Sequence, residues 1–342
     1  MHNQDLYDVT IIGGGPAGMY AAFYAGMREM KVKLIEGKDE LGGFLQTYSD
    51  KTLWDVGGLP PMKCAKLIEH LVQQAGTFEP TIVLKQTVDT LNHLQDGIIE
   101  LQTDSGESHI TRTVIMAIGR GVAEVQKLDI PSAQNYERSN LHYTIQNLDY
   151  FERKKVLISG GGNSAVDWAL ELAERADSVT VVHRQDSFRA MEHNVSQMKR
   201  KADVLTPCYI EGFYGNGQII QQVGIANTAT GESLRLDVDE VIVSHGYTSH
   251  VSNLARCGLD MHEGMFVMNP LAETSVPGIF TAGDCAMREG KVRLIAGAFN
   301  DAIVAVNSAK KYLEPDAAGM AYVSSHNELF REKNRALHNQ QT

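Results

Sequence analysis

The stretch YDVTIIGGGPAGMYAAFYAGMREMKVKLIE, residues 7–36, decides the fold of this chain. An apolar segment typical of a buried strand leads into a glycine-rich turn, a helical segment follows, and a second apolar segment ends at Glu36. In such a turn Gly13 allows the sharp bend, Gly15 lets a pyrophosphate approach the backbone, and Gly18 lets the helix pack closely on the strand. The helix N-terminus offers N–H groups to phosphates, and Glu36 can accept hydrogen bonds from a ribose. The spacing therefore predicts a βαβ unit that binds a dinucleotide. A glycine-rich turn in some other α/β protein would leave Glu36 unexplained.

A second copy of this pattern lies at residues 155–184. It contains a strand segment, a GGGNSA turn that ends at Ala165, a helical segment and a further strand. Glu36 lies eighteen positions after Gly18, and His183 lies eighteen positions after Ala165. Two chance matches with the same internal spacing are improbable, so the repeat predicts two dinucleotide-binding domains.

The two copies differ at the ribose position. The first has the acid Glu36, whereas the second has His183 and Arg184, with Arg189 shortly afterwards. An acid binds a free 2′-hydroxyl, and a cation neutralises a 2′-phosphate. The second domain is therefore expected to prefer NADP(H). The alternative is that these are basic residues of an exposed loop, and Gln185 occupies a place where another arginine would have strengthened the first interpretation.

Composition excludes several classes of function. The chain has 342 residues, 43% apolar and 21% charged, which is typical of a globular protein with two domains. Its formal net charge of −11 argues against nucleic acid as a partner. We find no apolar run that would span a membrane and no basic-then-apolar leader, so the cytoplasm is the expected location. The four cysteines, at 64, 208, 257 and 285, form no CxxC and suggest neither a metal site nor a redox pair.

The rest of the chain has simpler patterns. They predict an amphipathic helix at Cys64–Ala75, antiparallel meanders within 81–113 and 203–245, a buried strand at 113–119, a polar connection at 120–155, a long helix at 294–312 and a polar, partly extended tail at 314–342. A strand ending in Gly-Asp spans 276–284. Asp284 could put a carboxylate near the ribityl and phosphate part of a flavin, or could belong to an ordinary turn.

These motifs, in this order, resemble those of the flavoprotein reductases with two dinucleotide-binding domains, which include thioredoxin reductase. Thioredoxin reductases carry a CxxC shortly before the second glycine turn, where this chain reads LHYTIQNLDY at 141–150. The chain is therefore more similar to the thioredoxin-reductase-like ferredoxin/flavodoxin–NADP⁺ reductases. The stretches that carry this similarity are WDVGGLP at 54–60, GGGNSAVDWA at 160–169, FRAMEH at 188–193 and GKVRLIA at 290–296.

The resemblance implies an α/β fold with two Rossmann-like, three-layer domains. It implies an FAD domain made of 1–119 and 246–342 and an NADP(H) domain, 120–245, inserted into it. Such enzymes pass a hydride from NADPH to flavin N5 and then single electrons to ferredoxin or flavodoxin, with no catalytic side chain and no metal. They are homodimers in which the C-terminal segment of one subunit helps to cover the flavin of the other.

The resemblance also assigns binding residues. For FAD these are Gly13, Gly15, Pro16, Ala17, Gly18, Glu36, Gly43, Phe44, Tyr48, Val88, Asp284 and His326. For NADP(H) they are Gly162, Asn163, Ser164, Ala165, His183, Arg184 and Arg189. Tyr48 and His326 are expected to stack on opposite faces of the flavin, with Ser325 as the alternative to His326. Phe44 replaces the glutamine that commonly follows the Gly-Gly pair.

Other interpretations stay open from the sequence. One is a reductase of a haem, an iron complex or a disulfide, and another is a non-catalytic nucleotide-binding sensor, against which the intact glycines of both turns argue. An acidic ferredoxin would need a local basic surface on this acidic chain. The candidates are Arg153-Lys154-Lys155, Lys199-Arg200-Lys201, and Arg288 with Lys291 and Arg293.

Overall fold

The computed structural model describes residues 6–250, 254, 257–331 and 333–335, and the chain forms two compact units. The first unit takes the described residues of Met1–Gln46, Lys51–Val122 and His250–Thr342. The second unit takes Thr47–Asp50 and Ala123–Ser249. The fold is α/β, with one Rossmann-like unit inserted into the sequence of the other.

The described residues form five α-helices. These are α1 (Pro16–Met27), α2 (Cys64–Ala75), α3 (Asn163–Leu172), α4 (Glu192–Lys201) and α5 (Ile295–Leu313). The amphipathic pattern of α2 is confirmed, since Leu67, Ile68 and Leu71 are buried, whereas Val72 is 39% exposed. In the described part of the chain, no helix combines the length and the apolar character needed to cross a membrane.

The first unit is built on a seven-stranded sheet. Its strands, in order across the sheet, are Thr81–Val83, Val32–Ile35, Leu6–Ile12, Ser108–Met116, Ile99–Thr103 and Val88–His93, and Ile279–Thr281 also pairs with Ser108–Met116. Five of these strands pair in parallel with one another: Thr81–Val83, Val32–Ile35, Leu6–Ile12, Ser108–Met116 and Ile279–Thr281. Ile99–Thr103 pairs antiparallel with both of its neighbours, Ser108–Met116 and Val88–His93. Because parallel strands put their carboxyl ends at one edge, the residues after Ile12, Ile35, Met116 and Thr281 meet there.

Both faces of this sheet are buried. Val9 and Ile11 pack towards the alanine-rich faces of α1 and α5, whereas Ile12 and Ile35 face a second apolar cluster that includes Phe266. The result is the expected three-layer arrangement. Small strands complete the unit: Thr52–Leu53 pairs with Met62–Lys63, and Met261–His262, Met265–Val267 and Ala286–Met287 form a three-stranded sheet.

The second unit has a five-stranded parallel sheet, in the order Leu141–His142, Glu240–Val243, Lys155–Ser159, Ser178–Val182 and Asp203–Leu205. Helices α3 and α4 bury one face against Val156 and Ile158. A three-stranded antiparallel sheet, Cys208–Gly215, Ile220–Asn227 and Ser233–Asp237, covers the other face through Phe213 and Val223. The strands Val122–Val125 and Tyr247–His250 pair with each other where the chain enters and leaves this unit.

Two short edge strands differ from the sequence prediction. Thr81–Val83 is a parallel edge strand of the main sheet, not part of the antiparallel meander. Leu141–His142 is a parallel strand inside the segment expected to be a polar connection. Both are short edge strands whose pairing depends on a distant partner, so local alternation of residues gives no sign of it.

Candidate dinucleotide-binding sites

The first glycine turn follows the strand Leu6–Ile12, and contact geometry explains two of its glycines. Gly13 has φ of +108°, and a Cβ there would lie 2.4 Å from the carbonyl oxygen of Ala117. A Cβ on Gly18 would lie 1.8 Å from the carbonyl oxygen of Gly13. Backbone atoms are the obstacle in both cases and cannot rotate away. Strand, turn and α1 are therefore packed as closely as a dinucleotide turn requires.

Gly15 is the N-cap of α1 and leaves the start of the helix open. As a glycine it has no side chain that could cap the helix, and Pro16 follows at the first helical position. A Cβ on Gly15 would meet only Gly43, at an ordinary 3.7 Å, whereas a Cβ on Gly43 would lie 2.7 Å from the Cα atom of Gly15. The uncapped N–H groups of the first turn therefore end beside two glycine backbones. This is the arrangement that binds a phosphate.

Glu36 lies over the same turn. Its carboxylate accepts hydrogen bonds from the backbone N–H groups of Gly14, at 2.6 Å, and Lys38, at 2.9 Å. The side chain is half-buried. A carboxylate can accept about four hydrogen bonds, so capacity remains for ribose hydroxyls. The two amides hold Glu36 in position for that purpose.

Asp284 belongs to the C-terminal segment of the first unit. It lies in the 3₁₀ turn Gly283–Cys285 after the strand Ile279–Thr281. Gly283 has φ of +79°, and a Cβ there would lie 3.0 Å from the Cβ atom of Ala17. The turn thus sits against the start of α1. The Asp284 side chain is 40% exposed and lies 3.9 Å from the Nε atom of Arg120.

Phe44, Val88 and His326 are also predicted to bind FAD. Phe44 is 39% exposed. Val88 is 1% exposed within an apolar cluster, so only its backbone could meet a ligand. His326 is exposed in the 3₁₀ turn Ser324–His326. Within the described residues, no hydrogen bond or ring contact joins His326 to the first glycine turn.

Tyr48 lies within the second unit, in the segment Thr47–Asp50. Its ring centroid lies 6.2 Å from that of Trp168, with the planes 30° apart. Its hydroxyl lies 3.4 Å from the Oγ atom of Ser164, and the hydroxyl of Thr144 donates to the carbonyl of Thr47 beside it. Tyr48 therefore lies beside the start of α3, the helix that follows the second glycine turn.

The second glycine turn repeats the geometry of the first. Gly160 has φ of +156°, and a Cβ there would lie 2.4 Å from the carbonyl oxygen of Ser244 and 3.0 Å from the Cβ atom of Ala165. Gly162 is the N-cap of α3 and, as a glycine, has no side chain to cap it. A Cβ at Gly162 would meet no atom of the described residues within 4 Å. The amide oxygen of Asn163 accepts from the N–H of Met191. A phosphate could reach the backbone here as well.

The basic ribose residues surround this turn. A Cβ on Gly161 would lie 2.2 Å from the His183 ring, and the N–H of Arg189 donates to the Gly161 carbonyl at 2.7 Å. Burial lowers the pKa of His183, the charges of Arg184 and Arg189 lower it further, and its contact with the Ser187 carbonyl opposes them. Both arginines are exposed, and in the described part of the chain neither forms a salt bridge. Two cations that have no carboxylate partner among the described residues therefore lie close enough to the imidazole to lower its pKa.

The structure also shows contacts that the sequence analysis missed. His245 follows the strand Glu240–Val243, and its Nε2 atom lies 2.8 Å from the hydroxyl of Ser159, just before the second turn. In the first unit, the Asp301 carboxylate on α5 accepts from the N–H of Gly283 and pairs with Lys291. The partners in each contact are distant in sequence or form no known motif, so no local signal marks them.

Comparison with known proteins agrees with this geometry. A family model described as pyridine nucleotide-disulphide oxidoreductase matches residues 7–309. The chain is 49% identical over 335 residues to a protein of Bacillus pumilus named ferredoxin–NADP reductase 1, with 97% of each chain covered. It is 48% identical over 338 residues to the protein of the same name from Shouchella clausii, covering 98% of this chain and 97% of that one.

A solved structure shares the fold. Thioredoxin reductase from Lactococcus lactis matches 90% of this chain and 99% of its own, with 27% sequence identity and a TM-score of 0.76.

Proposed function

Because the chain belongs to the pyridine nucleotide-disulphide oxidoreductase family, we propose that it is a ferredoxin–NADP reductase that transfers electrons between NADPH and ferredoxin through bound FAD. The observation that carries this proposal is the pair of glycine turns with opposite charge at the ribose position. Both turns lie at uncapped helix N-termini. One holds Glu36 by two amides, and the other lies beside His183 with two exposed arginines.

We assign FAD to the first unit and NADP(H) to the second. The backbone of Gly13–Gly18 and the N-terminus of α1 would hold the FAD pyrophosphate, Glu36 the adenosine ribose, and Asp284 the ribityl region. Gly162, the N-terminus of α3 and the two arginines would hold NADP(H) and its 2′-phosphate. The domain boundaries that go with this assignment are 1–119 with 246–342 for FAD and 120–245 for NADP(H).

The residues of this chain bind and orient, and we assign none of them to proton transfer. Bound FAD would supply the exchange between the two-electron chemistry of nicotinamide and the one-electron chemistry of ferredoxin. The open N-terminus of each helix places positive partial charge where a phosphate would bind. We keep Tyr48 and His326 as stacking residues for the flavin, and Phe44 as an FAD-binding residue of the loop after the Gly-Gly pair.

Flavodoxin as a second carrier, and assembly as a homodimer, also belong to this proposal. A disulfide reductase is the alternative function, since the family includes such enzymes and the fold is that of a thioredoxin reductase. The cysteines count against it. Cys64, Cys208 and Cys285 are buried, and no two of the four cysteines form a disulfide in the structure.

Steady-state assays test the proposal. Purified protein should contain FAD and reduce cytochrome c with NADPH, and added ferredoxin should stimulate that rate. Arg184→Ala should raise the KM for NADPH roughly tenfold while changing that for NADH little, because it removes a charge-assisted contact to the 2′-phosphate. Arg200→Ala, an exposed arginine of α4, is the control. A protein without flavin, or one indifferent to ferredoxin, would contradict the assignment.

A further inference from the structure

A buried ion pair lies next to the proposed FAD site but outside the glycine turn. Asp301 on α5 and Lys291 on the preceding loop pair with each other, and their side chains are only 3% and 4% exposed. The same Asp301 oxygen accepts a hydrogen bond from the N–H of Gly283 at 3.1 Å. Removing two charges from water costs several kcal/mol per ion, and apolar residues of similar size are often as stable. The pair therefore calls for a reason other than stability.

This ion pair joins three segments of the first unit. Asp301 lies in the second turn of α5, Lys291 lies in the loop that leads into α5, and Gly283 begins the turn that carries Asp284. The loop itself bends at Gly290, which has φ of +68°, and the N–H of Lys291 is bonded to the carbonyl of Arg288. The Asp301 carboxylate thus ties both the Asp284 turn and the loop before α5 to the helix.

The Gly283–Cys285 turn also packs against the first glycine turn. Gly283 approaches Ala17 so closely that a Cβ would lie 3.0 Å from the Ala17 side chain. Burial raises the pKa of the neighbouring Cys285 thiol, and the positive charge of Lys291 is among the groups that oppose this rise. Lys291 therefore lies near this turn as well as near Asp301.

We propose that Lys291 and Asp301 are positioning residues for FAD: they hold the Gly283–Cys285 turn, which carries Asp284, in the arrangement that binds the cofactor. This role rests on the proposed function, since it requires FAD in the first unit. It also removes Lys291 from the surface on which a ferredoxin could dock.

The test uses the double variant Lys291→Met/Asp301→Leu, which removes both charges so that neither is left buried alone. Its FAD release, followed by flavin fluorescence, should be at least about tenfold faster than that of the wild type. In saturating FAD its melting, followed by circular dichroism, should remain close to that of the wild type, because a ligand that binds only the folded state stabilises it. The single variant Lys291→Arg, which keeps the positive charge, should release FAD at close to the wild-type rate.

A matched control lies on the same helix. Lys310 and Glu314 form a more exposed ion pair at the end of α5, with the Nζ and Oε1 atoms 2.7 Å apart. Lys310→Met/Glu314→Leu should leave FAD release unchanged. If the Lys291/Asp301 double variant also retains FAD like the wild type, the positioning role is wrong. It is equally wrong if the variant melts far below the wild type even in saturating FAD, because the pair then serves folding. A wild-type protein that binds no FAD would instead overturn the proposed function.

Discussion

Single residues decide how closely the first nucleotide turn is packed. Gly18 faces the carbonyl oxygen of Gly13 across a gap that admits no methyl group, and Gly13 has a backbone conformation that favours glycine. The sequence motif predicted both positions, and the structure supplies the reason for each. By contrast, Gly15 has ordinary room around it, which suits a position where a ligand approaches.

Gly18→Ala should therefore weaken FAD binding and destabilise the first unit. The added Cβ would lie 1.8 Å from the Gly13 carbonyl oxygen, so α1 must shift away from the strand, at a cost of about 1–3 kcal/mol. The measurement is urea unfolding together with flavin content after purification. Gly76→Ala is the control, since Gly76 has an α-helical φ of −69° and open space around it. Equal flavin content and stability in the two variants would contradict the packing argument.

A buried histidine gives the first unit a predictable pH dependence. The Nδ1 atom of His109 lies 3.1 Å from the Lys33 ammonium, and its Nε2 atom lies 2.7 Å from the amide oxygen of Gln86. The neutral ring satisfies both contacts, by accepting from Lys33 and donating to Gln86. Burial lowers the pKa of His109, and the Lys33 charge lowers it further.

Because the folded-state pKa of His109 lies below its unfolded value, the unfolded chain binds more protons between the two values. The free energy of unfolding should therefore fall as the pH drops below the ordinary histidine value of about 6.5. Urea titrations from pH 7.5 to 5 would measure this. His109→Gln should show a smaller decrease across that range. An unchanged slope would show that other groups cause the decrease.

At the scale of elements, the C-terminal tail is fastened to α1. The Arg28 guanidinium donates to the carbonyl of Ala318 at 2.7 Å, and the N–H of Ala321 donates to the hydroxyl of Tyr24 at 3.2 Å. Tyr24 and Arg28 are 7% and 6% exposed. Further along, the Phe330 ring packs edge-on against Phe78, with centroids 5.4 Å apart. The sequence predicted a polar, partly extended tail and gave no sign of these anchors.

Removing the anchors should loosen the tail without unfolding the unit. In Tyr24→Phe/Arg28→Leu, the tail loses both hydrogen bonds, so a protease should cut between residues 314 and 325 several times faster than in the wild type. Limited proteolysis followed by mass spectrometry measures the rate. Lys66→Met, which removes an exposed ion pair with Glu69, is the control. Cleavage at the wild-type rate would show that other contacts hold the tail.

At the scale of the whole molecule, charge governs how an acidic protein could meet an acidic carrier. The formal net charge is −11, so docking requires a local basic surface. Each of the three basic clusters in the sequence has one lysine engaged within the chain. Lys154 pairs with Glu240, Lys201 with Glu174, and Lys291 with Asp301. The side chain of Lys291 in particular is only 4% exposed, so this candidate docking residue does not present its charge at the surface.

Arg288 and Arg293 are the remaining cations of the third cluster. Both are exposed on the loop between the Asp284 turn and α5, and neither forms a salt bridge with any described residue. Arg288→Glu/Arg293→Glu should raise the KM for ferredoxin several-fold at low salt, and the difference should shrink at high salt because ions screen it. Reduction of a small neutral quinone should not change.

The comparison variant is Lys199→Glu on α4 of the second unit. It alters the net charge in the same direction at a different cluster. If it impairs ferredoxin reduction as much as the double variant does, total charge and not this loop controls the encounter.

The sequence by itself determined the two glycine turns, the strands and helices that flank them, and the acid and basic residues after the second strands. These features depend on neighbours within about thirty residues and on intrinsic backbone preferences, so the local sequence is enough to predict them. Only the tertiary structure decided that Thr81–Val83 and Leu141–His142 are parallel edge strands, that Tyr48 lies beside Trp168, and that Lys291 is buried against Asp301. Each of these depends on a partner far away in the chain, and contacts of that kind arise when the chain packs.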